Sequence, residues 1–200
     1  MGRRRLFLLI AIGLALVFAL GCGGRKGESS ATTIHFRDPG LRIAFDYPAG
    51  WRSRRPDLEN IRHYGFSPVL FLATQPLQRQ CQIRKTKGGN AITCRAAIEK
   101  LFPGSVYVTI SFGGAPGYTL ADAKGEYEKI GGKSAKVDRE RSGACAVLGA
   151  DETITVQIES GIDIQACLRS PGLAAREREL RSIFSSLRFL TAEPAATTSR

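Results

Sequence analysis

Apolar and polar residues alternate along much of the middle of this 200-residue chain, the pattern of strands that bury one face. Leu41, Ile43, Phe45 and Tyr47 alternate with Arg42, Ala44 and Asp46 up to the turn Pro48-Ala49-Gly50, and Trp51 follows as a core anchor. Val69 to Ala73 is apolar on both faces, which predicts a central strand covered from each side. Val106, Val108, Ile110 and Phe112 alternate again. So do Ile154, Val156 and Ile158, and, after a turn at Gly161, Ile162, Ile164, Ala166 and Leu168. The segment Ala144 to Gly149 is expected to pair with Thr153 to Ile158 as a hairpin across Ala150-Asp151. Gly131-Gly132 reads as a turn.

The period changes near the C-terminus. Leu173, Leu180, Ile183, Phe184 and Leu187 form one stripe at helical spacing, with Ser170 placed to cap the helix and Pro171 in its first turn. The opposite side carries Arg176, Glu177, Arg178, Glu179 and Arg181, a solvated face with Glu177 and Arg181 at pairing distance. Weaker helical signals lie at Thr93 to Leu101 and Leu120 to Lys129.

The N-terminus follows a different logic. Arg3, Arg4 and Arg5 precede fifteen apolar or glycine residues, Leu6 to Leu20, and Ala19-Leu20-Gly21-Cys22 ends the run. A cationic head, an apolar middle and small residues before a boundary read as an export signal. With the cysteine at that boundary, the segment resembles the lipobox of bacterial lipoproteins, although many of those carry Leu where Ala19 stands. The resemblance implies a signal peptide over residues 1–21 and a lipid, palmitate among its chains, on Cys22. Two other readings stand beside it. One is a plain secretory signal with an incidental thiol. The other is a transmembrane anchor, for which the nineteen uncharged residues from Leu6 to Gly24 are barely long enough. Residues 22–33 are then the lipidated cysteine and a flexible tether, 34–190 one domain, and 191–200 a disordered tail.

Charge adds to this picture. Residues 1–21 hold three of the 29 Lys+Arg and none of the 18 Asp+Glu, so the remainder carries 26 cations against 18 anions, a formal charge of +8. Such a surface suits anionic wall polymers or lipid headgroups, and it also simply keeps a domain soluble. No recognition motif for nucleic acid is present.

With Cys22 taken by lipid, Cys81, Cys94, Cys145 and Cys167 remain, an even count that reads as two disulfides in an exported chain. Cys81 with Cys94 would staple the polar loop Lys85 to Asn90, which leaves Cys145 with Cys167. In a plain meander those two would sit two strands apart, about 9–10 Å. A disulfide requires Cα atoms within about 7 Å. Either the strand order departs from a meander or Cys145 lies at a bent strand end. No cysteine spacing suits a zinc site, so no metal or other cofactor is expected.

Catalytic signals are sparse. His35, in Ile34-His35-Phe36, reads as a strand residue on a polar face, and His63 lies in a charged stretch. No Gly-x-Ser-x-Gly elbow presents a nucleophile. Gly125 to Ser134 has the wrong spacing for a phosphate loop. Asp151-Glu152 occupies a turn, with side chains on opposite faces, and Gly113 to Tyr118 reads as a mobile loop. No catalytic residue is assigned.

Phe45-Asp46-Tyr47-Pro48-Ala49-Gly50-Trp51 and Ile183-Phe184-Ser185-Ser186-Leu187-Arg188-Phe189 resemble the ends of PsbP-like domains. Ala73 to Leu77, Gly117 to Asp122, Gly149 to Glu152 and Ala166 to Pro171 resemble secreted proteins of actinobacteria that have no assigned activity. The likeness implies an α+β fold: a central antiparallel sheet with the C-terminal amphipathic helix packed on it, in an α/β/α sandwich. The expected protein is a lipid-anchored lipoprotein on the outer face of the bacterial cell membrane. It would act without catalysis, by binding a protein or envelope component; an envelope hydrolase is the alternative.

Overall fold

The computed structural model describes residues 32–57, 66–87, 89–94, 96–113 and 119–191. The signal peptide, Cys22, the tether up to Ala31, His63, Tyr118 and the tail beyond Thr191 lie outside the described residues.

A seven-stranded antiparallel sheet forms the body. Its strands are β3 (Arg52–Arg54), β4 (Phe66–Ala73), β7 (Val106–Gly113), β8 (Glu126–Ile130), β9 (Lys133–Arg141), β10 (Glu152–Ile158) and β11 (Ile162–Leu168), in the spatial order β3-β4-β7-β11-β10-β9-β8. A second sheet brings the two ends of the domain together, with β2 (Ile43–Pro48) between β1 (Thr33–Asp38) and the short β12 (Arg188–Phe189). β5 (Cys81–Thr86) and β6 (Gly89–Cys94) form a separate hairpin. One α-helix, α1 (Leu173–Ser186), stands among the described residues.

The alternation of the sequence decides what lies inside. Val106, Val108, Ile110, Ile154, Val156, Ile158, Ile162, Ile164, Ala166 and Leu168 all project from one face of the large sheet into a single core. The second layer closes that core with Ile43, Phe45 and Tyr47 of β2, with Leu180, Ile183 and Phe184 of α1, and with Leu187. Trp51 is buried there, as expected of an anchor, and its indole N–H donates to Glu179 at 3.2 Å. The helix and the small sheet are locked side by side: the Asp46 amide donates to Ser186 Oγ at 2.9 Å, and that hydroxyl donates in turn to the Ile183 carbonyl at 2.8 Å.

The expected α/β/α sandwich is not what the chain forms. The fold is β-rich, with α1 on one face of the large sheet and no helix on the other among the described residues. The physical reason lies in the opposite face, which is apolar only in a small patch at Phe71, Ala73, Tyr107 and Cys167; beyond it Thr109, Ser111, Thr155, Gln157, Asp163 and Gln165 offer little for a long helix to cover. Both weak helix signals fail accordingly. Cys94 ends β6 and residues 96–101 are irregular, while Leu120–Asp122 is one 3-10 turn that leads into β8.

Three local expectations also change. Residues 144–149 are not a strand, because Gly143–Leu148 forms a 3-10 turn and β9 is the strand that pairs with β10. Ser170 does not cap α1. Its amide and hydroxyl both donate to Asp151 Oδ2, at 2.8 and 2.6 Å, and Gly172 takes the cap position at φ 92°. The Gly131-Gly132 turn is as expected and joins β8 to β9, with φ 59° and 80° at the two central positions, the mirror-image geometry that hairpins favour.

Candidate functional site

Strands β10 and β11 bury every second residue, so the residues between form a polar face on the side away from α1. The registers arrange that face in three rows across the strands. One runs Ala73, Tyr107, Cys167, Thr153, Glu140; the next Phe71, Thr109, Gln165, Thr155, Asp138; the third Ser111, Asp163, Gln157, Lys136, Tyr127.

The first row is covered. Ala97, Ile98, Leu101, Cys145 and Ala150 pack against Phe71, Ala73, Tyr107 and Cys167 as a second core cluster. Burial under this cover pushes the Tyr107 hydroxyl up to about 12, so it stays protonated. Two devices hold the cover down. The Gln75 amide donates to the Lys100 carbonyl and accepts from the Phe102 amide, both at 2.8 Å. The Cys145–Cys167 disulfide joins the 3-10 turn to β11, with Cα atoms 5.5 Å apart. Strands β9, β10 and β11 do form a plain meander. The pairing is possible because Cys145 sits past the end of β9, on a turn that folds back over the face. There the Thr153 hydroxyl donates to the Ser142 carbonyl and accepts from the Cys145 amide.

The other two rows are open toward β10, β9 and β8, where they carry two adjoining clefts. The larger, about 440 Å³, lies beside the β10–β11 turn and is walled by Thr119 to Ala121, with Gln157, Glu159 and Asp163 as its polar groups. The smaller, about 290 Å³, is lined by Asp122, Lys124, Asp138, Glu140, Thr155 and Gln157. Gln157 is common to both.

Asp163 is the unusual group. It stands on β11, hydrogen-bonded strands on either side, and burial raises its carboxyl to about 6 against the opposing hydrogen bond from Gln157. Asp122 shifts the other way, held below the usual carboxylate value by the Thr119 amide at 2.9 Å and then by the Thr119 hydroxyl. The carboxyl in the larger cleft is thus proton-accepting near neutrality while Asp122, in the smaller one, stays ionised. Amide, hydroxyl and carboxylate groups on a rigid sheet can bind a polar ligand by paired hydrogen bonds.

The residues singled out from the sequence lie elsewhere. His35 is on the outer face of the small sheet, two-thirds exposed, with Nδ1 2.7 Å from Asp46 Oδ1. Asp151 is spent on Ser170. Cys81 is disulfide-bonded and stands directly opposite Cys94 in the β5–β6 register, at the base of the loop it was expected to staple. Its amide and that of Gln80 donate to Asp57 Oδ2, at 3.0 and 2.6 Å. Among the described residues no group of three or more His, Cys, Asp or Glu could hold a metal ion. The cleft residues were missed although their signal was present: Thr153, Thr155, Gln157, Asp163 and Gln165 are the polar half of the alternation that identified the strands.

The chain matches no family model, no curated protein and no solved structure. What the cleft can take therefore rests on its own side chains.

Proposed function

We propose that this protein is an extracytoplasmic binding module, anchored by lipid on Cys22 to the outer face of a bacterial membrane, that takes its partner on the open face of the large sheet. The Cys145–Cys167 bridge carries this reading. A disulfide built into the cover of the sheet needs an oxidising compartment to form and persist, as outside the cytoplasm. The N-terminal segment supplies the export signal and, at Cys22, the attachment point. Two acyl chains or more hold a protein stably at a bilayer.

Growth of an expressing bacterium on radiolabelled palmitate tests the anchor. Label should enter the wild-type protein and be lost in Cys22→Ala; an unlabelled wild type overturns it. The raised carboxyl of Asp163 in a cleft favours a second reading, an envelope hydrolase with Asp163 as general acid. Turnover of isolated envelope material by the wild type, abolished in Asp163→Asn, would establish that reading in place of the first.

A further inference from the structure

The two outer surfaces of the domain differ in charge. On the small sheet, the register sets Arg37 and Arg188 on either side of Ala44, which is 5% exposed between them. Ile43, Phe45 and Tyr47 point into the core, so Ala44 and its two arginine neighbours face outward. Arg42 is exposed on the turn at the end of the same sheet. None of these three arginines makes an ion pair among the described residues. The carboxylate that this face presents, Asp46, is bonded to His35. The far side of the domain is the reverse. Asp122, Asp138, Glu140, Glu159 and Asp163 line the clefts with Lys124, which pairs with Glu140 at 3.7 Å, and the cation beside them in the third row, Lys136, lies over the Tyr127 ring.

Chain connectivity ties the cationic face to the anchor. Arg37 lies on β1, and β1 begins at Thr33, eleven residues beyond Cys22. Eleven residues reach at most about 40 Å even when fully extended. A face held that close to a bilayer meets it at high effective concentration, so a few unpaired cations suffice to orient it.

We propose that the outer face of the three-stranded sheet, through Arg37 and Arg188 with Arg42 at its end, docks on anionic lipid headgroups of the membrane that holds the chain, and so turns the Asp163 cleft away from the bilayer. The proposal rests on the lipid-anchor reading. It adds an orientation: the same anionic surface that attracts the arginine face repels the acidic one.

The protein purified from the membranes of an expressing bacterium, and reconstituted into vesicles of phosphatidylcholine alone or with phosphatidylglycerol, provides the test. Amide hydrogen exchange would be read at residues 33–48 and, for the cleft, at 152–168. With phosphatidylglycerol at low salt, exchange at 33–48 should slow while 152–168 is unchanged, and high salt should remove the effect. Each arginine near an anionic surface multiplies the docked-to-free ratio about fivefold, so Arg37→Gln with Arg188→Gln should lower it roughly 30-fold. Lys124→Gln, on the cleft side, should leave it intact and shows that the loss is local to the face. Equal exchange in the two lipids overturns the proposal. So does protection of 152–168 instead, or protection at 33–48 by added wall polymer and not by lipid. The mass of the N-terminal peptide reports the anchor separately. An unmodified Cys22 defeats the anchor reading, and flotation of that protein with phosphatidylglycerol vesicles then decides the docking face alone.

Discussion

Replacing Asp163 by Asn should make the protein's stability less sensitive to pH, by an amount set by where that carboxyl sits. Asp163 occupies the middle of the large sheet, and burial holds its folded-state pKa at about 6 against an ordinary value of 3.8. The folded chain therefore binds this proton more tightly than the unfolded chain does. The resulting stabilisation is fully present below about pH 4 and is lost as pH rises through about 6, with a full span of about 3 kcal/mol. Between pH 4.5 and 7.5 the loss comes to about 2 kcal/mol. Asn has nearly the same shape, can still bond Gln157 and does not titrate. Urea unfolding at the two pH values, with disulfides intact, should show the variant gaining about 2 kcal/mol on the wild type as pH rises. At a typical slope that is a relative shift of about 1 M in midpoint. Other titrations do not imitate this result. Asp38, Asp57, Asp122 and Asp151 are all held below the ordinary value, so their contributions grow with pH and are nearly complete by pH 4.5. They and both histidines are also common to the two proteins. A wild-type-to-variant difference that stays flat across the interval would show that Asp163 is not confined in the cleft.

Two further outcomes follow from the staples. Cys145→Ala with Cys167→Ala opens a bridge between positions 22 residues apart, which should cost about 3 kcal/mol in urea unfolding; amide exchange at 96–102 should rise as the cover over Tyr107 loosens. Asp57→Ala leaves the Gln80 and Cys81 amides and the Arg54 guanidinium without their shared acceptor. Loss of about 2 kcal/mol is expected, read as faster exchange at Gln80 and Cys81 and a lower unfolding midpoint. Unchanged exchange there would show that the β5–β6 hairpin is held by other contacts.

The sequence was a good guide wherever burial follows a single period. Strands β2, β4, β7, β10 and β11 and helix α1 each have one apolar face or are covered on both, so spacing alone reveals them. It was a poor guide where tertiary context supplies the order. In β8 and β9, Ile130, Ala135 and Val137 are buried among charged neighbours, a stripe too thin to read as strand without a sheet to join. The turn bearing Cys145 is small and apolar, like a strand, yet its backbone is satisfied by its own Ser142 and by Asp151 and Thr153 at the start of β10. The expected layered sandwich failed for a related reason: the apolar patch on the opposite face is small, and 96–101 covers it as an irregular segment while 120–129 finds only polar rows. The cleft was legible only as the complement of the core pattern. Residues that punctuate the chain, such as His35 and Asp151, drew attention that belonged to Gln157 and Asp163.

The small sheet sets an order on how this chain can mature. Its middle strand is made well before its third: Ala44 pairs with Arg188, Ile43 with Phe189, and the Leu190 amide donates to the Arg42 carbonyl at 2.7 Å. During synthesis from the N-terminus, β2 emerges with one edge open and the core beneath it unroofed until α1 and β12 arrive some 140 residues later. The strand at 43–48 therefore keeps one edge unpaired until residues 188–190 have been made, and only then can the small sheet be completed.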